Sequence, residues 1–204
     1  METALFVLAG YLAGSLPFGY WLVRLFKGAD IRTVGSGNIG ASNVWRTYGR
    51  GLGLTVMVLD VLKGFVPALL ATIYAGHLAG ALAGAAAMLG HWRPLFMGFR
   101  RGGKTVATFG GALLGVSPVV GAIGAGVWIA LFLAFRYASV ASIVSALTLP
   151  VVAAALGEPW PVIAFTGVGA AVIVFLHRGN IARLRAGTEN RFSFRRRRSQ
   201  PAGA

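Results

Sequence analysis

The sequence predicts an all-α integral membrane protein of seven transmembrane helices, with its N-terminus outside and its C-terminus cytoplasmic. Three observations predict it. Of 204 residues, 56% are hydrophobic and only 12% charged, about half the charge of a soluble domain. The apolar residues fall into seven segments, roughly 3–25, 52–75, 77–92, 104–116, 118–135, 138–156 and 160–177. The basic residues then alternate with the gaps between them. Numbered from the N-terminus, gaps two, four, six and eight carry 5, 4, 1 and 8 Lys or Arg, counting Arg24 and Lys104 at the segment edges. The odd gaps carry none, and of the 19 basic residues only Lys63 stands elsewhere. Cytoplasmic loops carry such an excess under the positive-inside rule.

The first segment follows Glu2 and has no basic leader or clear cleavage site, so it reads as a retained helix and not a signal peptide. About 20 residues are needed to cross the hydrocarbon core. The third and fourth segments are short by that measure, which implies tilt, thinning or a cavity. Gly76, Gly80 and Gly84 form a small-residue row suited to close helix packing. Pro17, Pro67 and Pro118 lie in or near helices, where neighbours satisfy the freed carbonyls. The outer connections, at Gly76-His77, Ser117-Pro118 and Gly157-Glu158-Pro159, are too short for an active site. Chemistry is therefore expected in the cytoplasmic loops 26–51 and 93–103, at the Arg136-Tyr137 turn and after His177. Residues 1–193 read as one transmembrane catalytic domain and 194–204 as a flexible basic tail.

The net charge of +14 sits in short loops and the tail, which favours topology and anionic headgroups over nucleic acid. With no cysteine, disulfides, thiolate metal sites and cysteine nucleophiles are excluded. Three scattered histidines make a poor zinc site. No metal, cofactor or obligate protein partner is expected.

The first cytoplasmic loop contains Gly35-Ser36-Gly37-Asn38-Ile39-Gly40-Ala41-Ser42-Asn43, then Arg46. Its GxGxxG spacing does not make a dinucleotide site, because a membrane helix stands where a strand is required. Glycine N–H groups with Ser36, Asn38, Ser42 and Asn43 nevertheless suit an anion, and Arg46 suits phosphate. Gly98 to Gly102-Gly103-Lys104-Thr105 matches the P-loop spacing. A nucleotide triphosphatase needs a strand and magnesium-binding carboxylates, and this chain has only Glu2, Asp30, Asp60, Glu158 and Glu189. The local logic of glycine N–H groups and a lysine at a helix start still favours phosphate. Asp60 and Lys63 share a helix face and read first as a structural ion pair, second as a substrate-facing lysine. His91 reads equally as a structural hydrogen-bonding group or a substrate contact. His177 and Asn180, three residues apart, join Ser139 and Ser142 in a polar cluster if the last helix continues. No HxxxxD signature is present, since Leu82, Phe96 and Ala182 stand five residues beyond the histidines.

Together these stretches resemble the bacterial acyl-phosphate:glycerol-3-phosphate acyltransferases of the membrane. GSGNIGASN with Arg46 is similar to that family's first motif, and DVLKG from Asp60 to its second. GHWRP with Phe96, Phe99 and GGKTVAT is similar to the third, and HRGNIARLRAGTENRF to the family's end. Departures are the spacer Phe99-Arg100-Arg101-Gly102, Thr105 where glycine is common, and Ile39 in place of proline. The resemblance implies transfer of a fatty acyl group from acyl phosphate to the 1-hydroxyl of glycerol 3-phosphate, in a bacterial inner membrane, giving lysophosphatidic acid.

On that reading Arg46, Lys104, His177 and Asn180 hold glycerol 3-phosphate, and Ser142 orients it. Ser36, Asn38, Asn43 and the N–H groups around Gly35, Gly37 and Gly40 hold acyl phosphate and stabilise the oxyanion. Lys63, His91, Gly102 and Gly103 complete the substrate-binding set, with membrane lipids around the chain. A substrate phosphate or His177 takes the proton. An anion transporter is the competing class, but it should show inverted repeats and a midplane site, whereas these polar groups gather at one face.

Overall fold

Backbone groups in lipid must be paired within the chain, which leaves apolar runs the choice of helix. The computed structural model describes residues 1–193, in which helices and loops occur and no strand. The basic tail expected at 194–204 lies outside the described residues. In chain order the helices are α1 (Glu2–Gly14), α2 (Phe18–Lys27), α3 (Ala41–Tyr48), α4 (Arg50–Trp92), α5 (Val106–Val116), α6 (Pro118–Phe135), α7 (Ala138–Ala155), α8 (Trp160–Leu176) and α9 (Arg178–Arg185).

One difference from the expected segments and one agreement with them bear on the site. The first segment is not one unbroken helix: α1 ends at Gly14 and α2 begins at Phe18, because Pro17 has no N–H to continue the ladder. The long α4 breaks at Gly76, whose φ of 82° and ψ of 176° favour a residue without a side chain. Its arms, 50–75 and 77–92, fold back on each other, so that His91 Nδ1 comes within 3.7 Å of Asp60 Oδ1. Gly76 thus makes the turn, while Gly80 makes the close packing: a Cβ there would stand 2.0 Å from Thr72 Oγ1.

Four stretches of the described residues are long and apolar enough to cross a membrane. They are Glu2–Lys27, Arg50–Met97, Pro118–Phe135 and Ala138–Ala155, and α8 with α9, bent by 56°, makes a fifth if counted as one. The 11 residues of α5 extend about 16 Å, roughly half the hydrocarbon thickness. The short α5 is held by close approach to the first arm of α4, where Gly64 and Gly111 leave no room for a Cβ against Thr108 O and Val61 O. Phe109, Leu113, Leu149, Phe165 and Ile173 form the core between α5, α7 and α8. Large apolar side chains such as Leu70, Ile73, Leu82, Leu133, Leu147 and Val151 face outward, as lipid-facing residues do.

Candidate active site

The loop that precedes α5 comes together with the loop before α3 and the α8–α9 junction. A cavity of about 380 Å³ opens there. One end is lined by Ser36, Asn38, Ser42, Arg46, Lys104, His177, Asn180 and Glu189, and the other by Phe109, Leu113, Leu114, Gly121, Gly124, Ile129 and Leu149. The polar residues come from the loops, α3 and α9, and the apolar ones from α5, α6 and α7. The site thus has a cationic mouth and a hydrocarbon-like shaft.

The glycine-rich loop is built around Asn43, which is 2% exposed. Its side-chain amide donates to Val34 O at 3.1 Å and Asn38 O at 2.9 Å, and its Oδ1 accepts from Ser36 N at 3.0 Å. Asn38 Oδ1 accepts from Gly40 N at 2.8 Å, and Gly37 N donates to Val34 O at 3.0 Å. The loop therefore consumes several N–H groups that the sequence offered to an anion. What it delivers to the cavity is the N-terminus of α3, with Gly40, Ala41 and Ser42 in the wall. A helix leaves its first N–H groups without partners inside the helix, and that end favours an anion. At the loop's far edge Asp30 caps a 3-10 turn at Ile31–Thr33 and holds Arg32 at 2.6 Å. The hydrogen bonds from Arg32 lower the Asp30 pKa to about 2.

Lys104 precedes α5 by two residues, where Thr105 adopts φ 63°. Gly102 N donates to Trp92 O at 2.8 Å and Gly103 N to His91 O at 3.0 Å, which lays the loop over the end of α4. A Cβ on Gly103 would lie 1.9 Å from His91 Nε2, so glycine is required for this approach. Lys104 Nζ donates to Asn180 Oδ1. Asn180 Nδ2 donates in turn to Glu189 Oε1 at 2.6 Å, which also accepts from Ser139 Oγ at 2.8 Å. Glu189 Oε2 accepts from Arg183 Nε at 2.7 Å. Burial would raise the Glu189 pKa, but the bonds from Asn180, Ser139 and Arg183 outweigh it and the net direction is down. This carboxylate fixes which way the Asn180 amide points, and hence the oxygen that Lys104 meets. Burial, followed by the charge of Arg183, lowers the Lys104 pKa to about 8. Burial also lowers the Arg46 pKa, though a guanidinium stays charged. Arg46 lies 4.9 Å over the Phe192 ring.

The last segment ends at His177, where α8 gives way to α9, so the helix does not continue unbroken through Asn180. His177 and Asn180 still meet in the cavity wall. His177 Nδ1 lies 2.8 Å from Ile173 O. A carbonyl only accepts, so Nδ1 carries the proton and Nε2 of the neutral ring keeps its lone pair. Ser142 Oγ donates to Ala138 O at 2.7 Å and accepts from Trp128 Nε1 at 3.0 Å, placing it where α6 and α7 meet the cavity.

Of the residues singled out from sequence, Ser36, Asn38, Gly40, Asn43, Arg46, His91, Lys104, Ser142, His177 and Asn180 line the cavity. Gly35, Gly37, Gly102 and Gly103 shape the two loops outside the lining. Lys63 is paired with Asp60, as its first reading from sequence had it. It sits outside the cavity wall, its Nζ 2.7 Å from Asp60 Oδ1 and 2.9 Å from Leu16 O, and it is buried together with Asp60. It ties the α1–α2 break to α4. Sequence reasoning missed Glu189, Arg183 and Trp128 as contributors to the site's geometry, whereas Ser139, expected in the polar cluster with Ser142, is found there. Glu189 carried a signal, being one of five carboxylates and lying in the closing stretch that bears the resemblance.

The fold and site define a class: an integral membrane helical protein whose cavity joins a cationic mouth to an apolar shaft. Comparison with known proteins gives the family. The family model for glycerol-3-phosphate acyltransferase matches residues 4–187. A glycerol-3-phosphate acyltransferase of Desulforudis audaxviator is 47% identical over 91% of this chain and 93% of its own length. One from Roseiflexus sp. is 48% identical over 91% and 93%. A crystal structure of PlsY (YgiH), an integral membrane glycerol 3-phosphate acyltransferase, in its glycerol 3-phosphate form superposes with a TM-score of 0.90. It is 42% identical, over 95% of this chain and 96% of that one. The same protein in its lysophosphatidic acid form gives 0.88 at 41% identity, with the same coverage. The chain belongs to the glycerol-3-phosphate acyltransferase family of PlsY type, and it is an acyltransferase enzyme.

Proposed function

We propose that the protein moves a fatty acyl group from acyl phosphate to the 1-hydroxyl of glycerol 3-phosphate, releasing inorganic phosphate and lysophosphatidic acid. The observation that carries this reading is the continuity of a cationic mouth with an apolar shaft in one cavity. Both substrates bring a phosphate and one brings a hydrocarbon chain. The solved relative has glycerol 3-phosphate and lysophosphatidic acid forms, which supports the same acceptor and product here.

In the proposed reaction Arg46, Lys104 and Asn180 hold the glycerol phosphate, with Ser142 at the acceptor. The α3 N-terminus with Ser36, Asn38 and Ser42 faces the acyl phosphate. The hydroxyl oxygen attacks the acyl carbon, the bond from that carbon to the phosphate oxygen breaks, and the phosphate leaves with the bonding pair. The hydroxyl proton passes to a substrate phosphate oxygen, with His177 Nε2 as the competing acceptor. Donors fixed before the reaction stabilise the developing oxyanion, which is commonly what accelerates acyl transfer most. No acyl-enzyme is involved, so an acyl group trapped on Ser36 would refute direct transfer.

In the proposed topology the chain crosses the bacterial inner membrane seven times, with the two arms of α4 and the short α5 each counted. The N-terminus is then outside, and the mouth of the cavity faces the cytoplasm. Residues 1–193 form one catalytic unit. The test is purified protein with palmitoyl phosphate and glycerol 3-phosphate, without coenzyme A, carrier protein or added metal. Lysophosphatidic acid is the expected product. Phosphate uptake by proteoliposomes with no product would replace this reading with a transporter.

A further inference from the structure

A second groove lies outside the catalytic cavity, between the 77–92 arm of α4 and α8, and no residue lines both. Its volume is about 170 Å³ and its lining residues are all apolar. Met88 and Phe165 are buried in it at 4% and 5% exposure, while Leu89 and Val168 stand open at its edge. The end of the groove nearest the catalytic loops is closed by Trp92 and Phe175, edge to face with centroids 6.5 Å apart.

Each of these rings carries a cation. The Arg93 guanidinium lies 5.0 Å from the Trp92 centroid, and that of Arg178 lies 4.5 Å from the Phe175 centroid. Both arginines are exposed. Among the described residues neither forms a salt bridge with a carboxylate; their guanidinium groups donate to the carbonyls of Phe99 at 3.4 Å and Phe175 at 3.1 Å. A second copy of this chain would bring its own basic rim against this one. A lipid with a negative head and a flexible tail matches both parts of the groove. Tryptophan and arginine at such a border sit at headgroup depth, and guanidinium groups suit phosphate oxygens.

We propose that this groove holds one acyl chain of an anionic membrane phospholipid, with its phosphate at Arg93 and Arg178. The site is independent of the substrate assignment, since it needs only that the chain is embedded in a bilayer. It also touches the catalytic loop, because the carbonyl of Trp92 holds Gly102 N.

Native mass spectrometry from phosphatidylcholine micelles doped with dioleoyl phosphatidic acid tests it. The wild-type chain should retain one phosphatidic acid under activation that strips phosphatidylcholine. The double variant Arg93→Gln/Arg178→Gln should lose it, and so should Val172→Trp, which fills the groove. An Arg136→Gln control, at another turn, should keep it. Thermal unfolding of each variant separates lost binding from lost folding, and the arginine pair carries the test if the tryptophan variant is unstable. Equal retention of the two lipids, or retention by a folded arginine variant, overturns the proposal. So does displacement by soluble glycerol 3-phosphate, which would place the lipid in the catalytic cavity.

Discussion

Two lysines in this molecule, Lys63 buried and Lys104 half-buried, differ in what holds them. Lys63 meets a carboxylate at 2.7 Å and a main-chain carbonyl at 2.9 Å, with its side chain 2% exposed. Lys104 meets an amide oxygen, at the lip of a cavity. The first has its charge neutralised in place and acts as a strut between α4 and the break at Leu16. The second keeps an ammonium with no carboxylate bonded to it among the described residues, facing the cavity. The partner as well as the burial separates a lysine locked in an ion pair from one open to a cavity. A carboxylate partner neutralises the ammonium it holds, whereas a neutral partner orients an ammonium without consuming its charge.

The largest expected effect breaks the binding side of that comparison. Lys104→Ala should lower acyl transfer about 100-fold or more, the scale of removing a donor that acts on developing charge, without loss of the fold. Product assays with palmitoyl phosphate, beside a thermal unfolding curve, check this; near-normal turnover would remove Lys104 from the site. The structural side breaks differently. Lys63→Met should destabilise the protein by about 3–5 kcal/mol, since it leaves a buried carboxylate unpaired. Asp60→Asn combined with Lys63→Met should recover part of that loss. Unfolding midpoints in detergent decide it, and a stable but inactive Lys63→Met protein would make Lys63 a substrate contact after all.

A pH series sharpens the contrast further. The Lys104 pKa is lowered to about 8 from an ordinary 10.5. As pH rises through about 8, the folded apo-protein loses this proton before the unfolded chain does. The unfolded state then binds more protons, so the local contribution to stability rises with pH between about 8 and 10.5. Substrate affinity moves the opposite way, because phosphate needs the ammonium. KM for glycerol 3-phosphate should climb above pH 8 in the wild type and stay flatter in Lys104→Arg. Identical profiles for the two would assign the titration to another group. The smallest change expected is Ser139→Ala, which removes one of the bonds to Glu189 and should cost about 1 kcal/mol of stability with a few-fold loss of turnover. An effect as large as that of Lys104→Ala would mean that Ser139 touches substrate.

Much of this site was legible as residue types. A glycine-rich loop, an arginine, a lysine behind two glycines, and a histidine with an asparagine together spell phosphate chemistry. Their grouping at one end followed from the alternation of basic and neutral gaps. Glu189 was not legible in that way. Its importance comes from Asn180, Ser139 and Arg183 converging on it, and no spacing along the chain records that convergence. The glycine loop shows the converse. Its donors were counted from sequence, yet Asn43 and Asn38 draw several of them inward, because a tight loop must satisfy its own backbone before it can serve a ligand.

By itself the sequence determined the helical membrane class, the chain order of the apolar segments, the pairing of Asp60 with Lys63, and the residue types available for phosphate. Those properties depend on hydrophobicity, helical periodicity and charge, which are local to the chain. Only the tertiary structure decided that α1 and α2 part at Pro17 and that α5 stops at 11 residues. It also decided which lysine faces the cavity and that a carboxylate sets the Asn180 amide. Close packing of distant helices and competition among neighbours for each donor settle such matters, and neither is written in any single stretch of the chain.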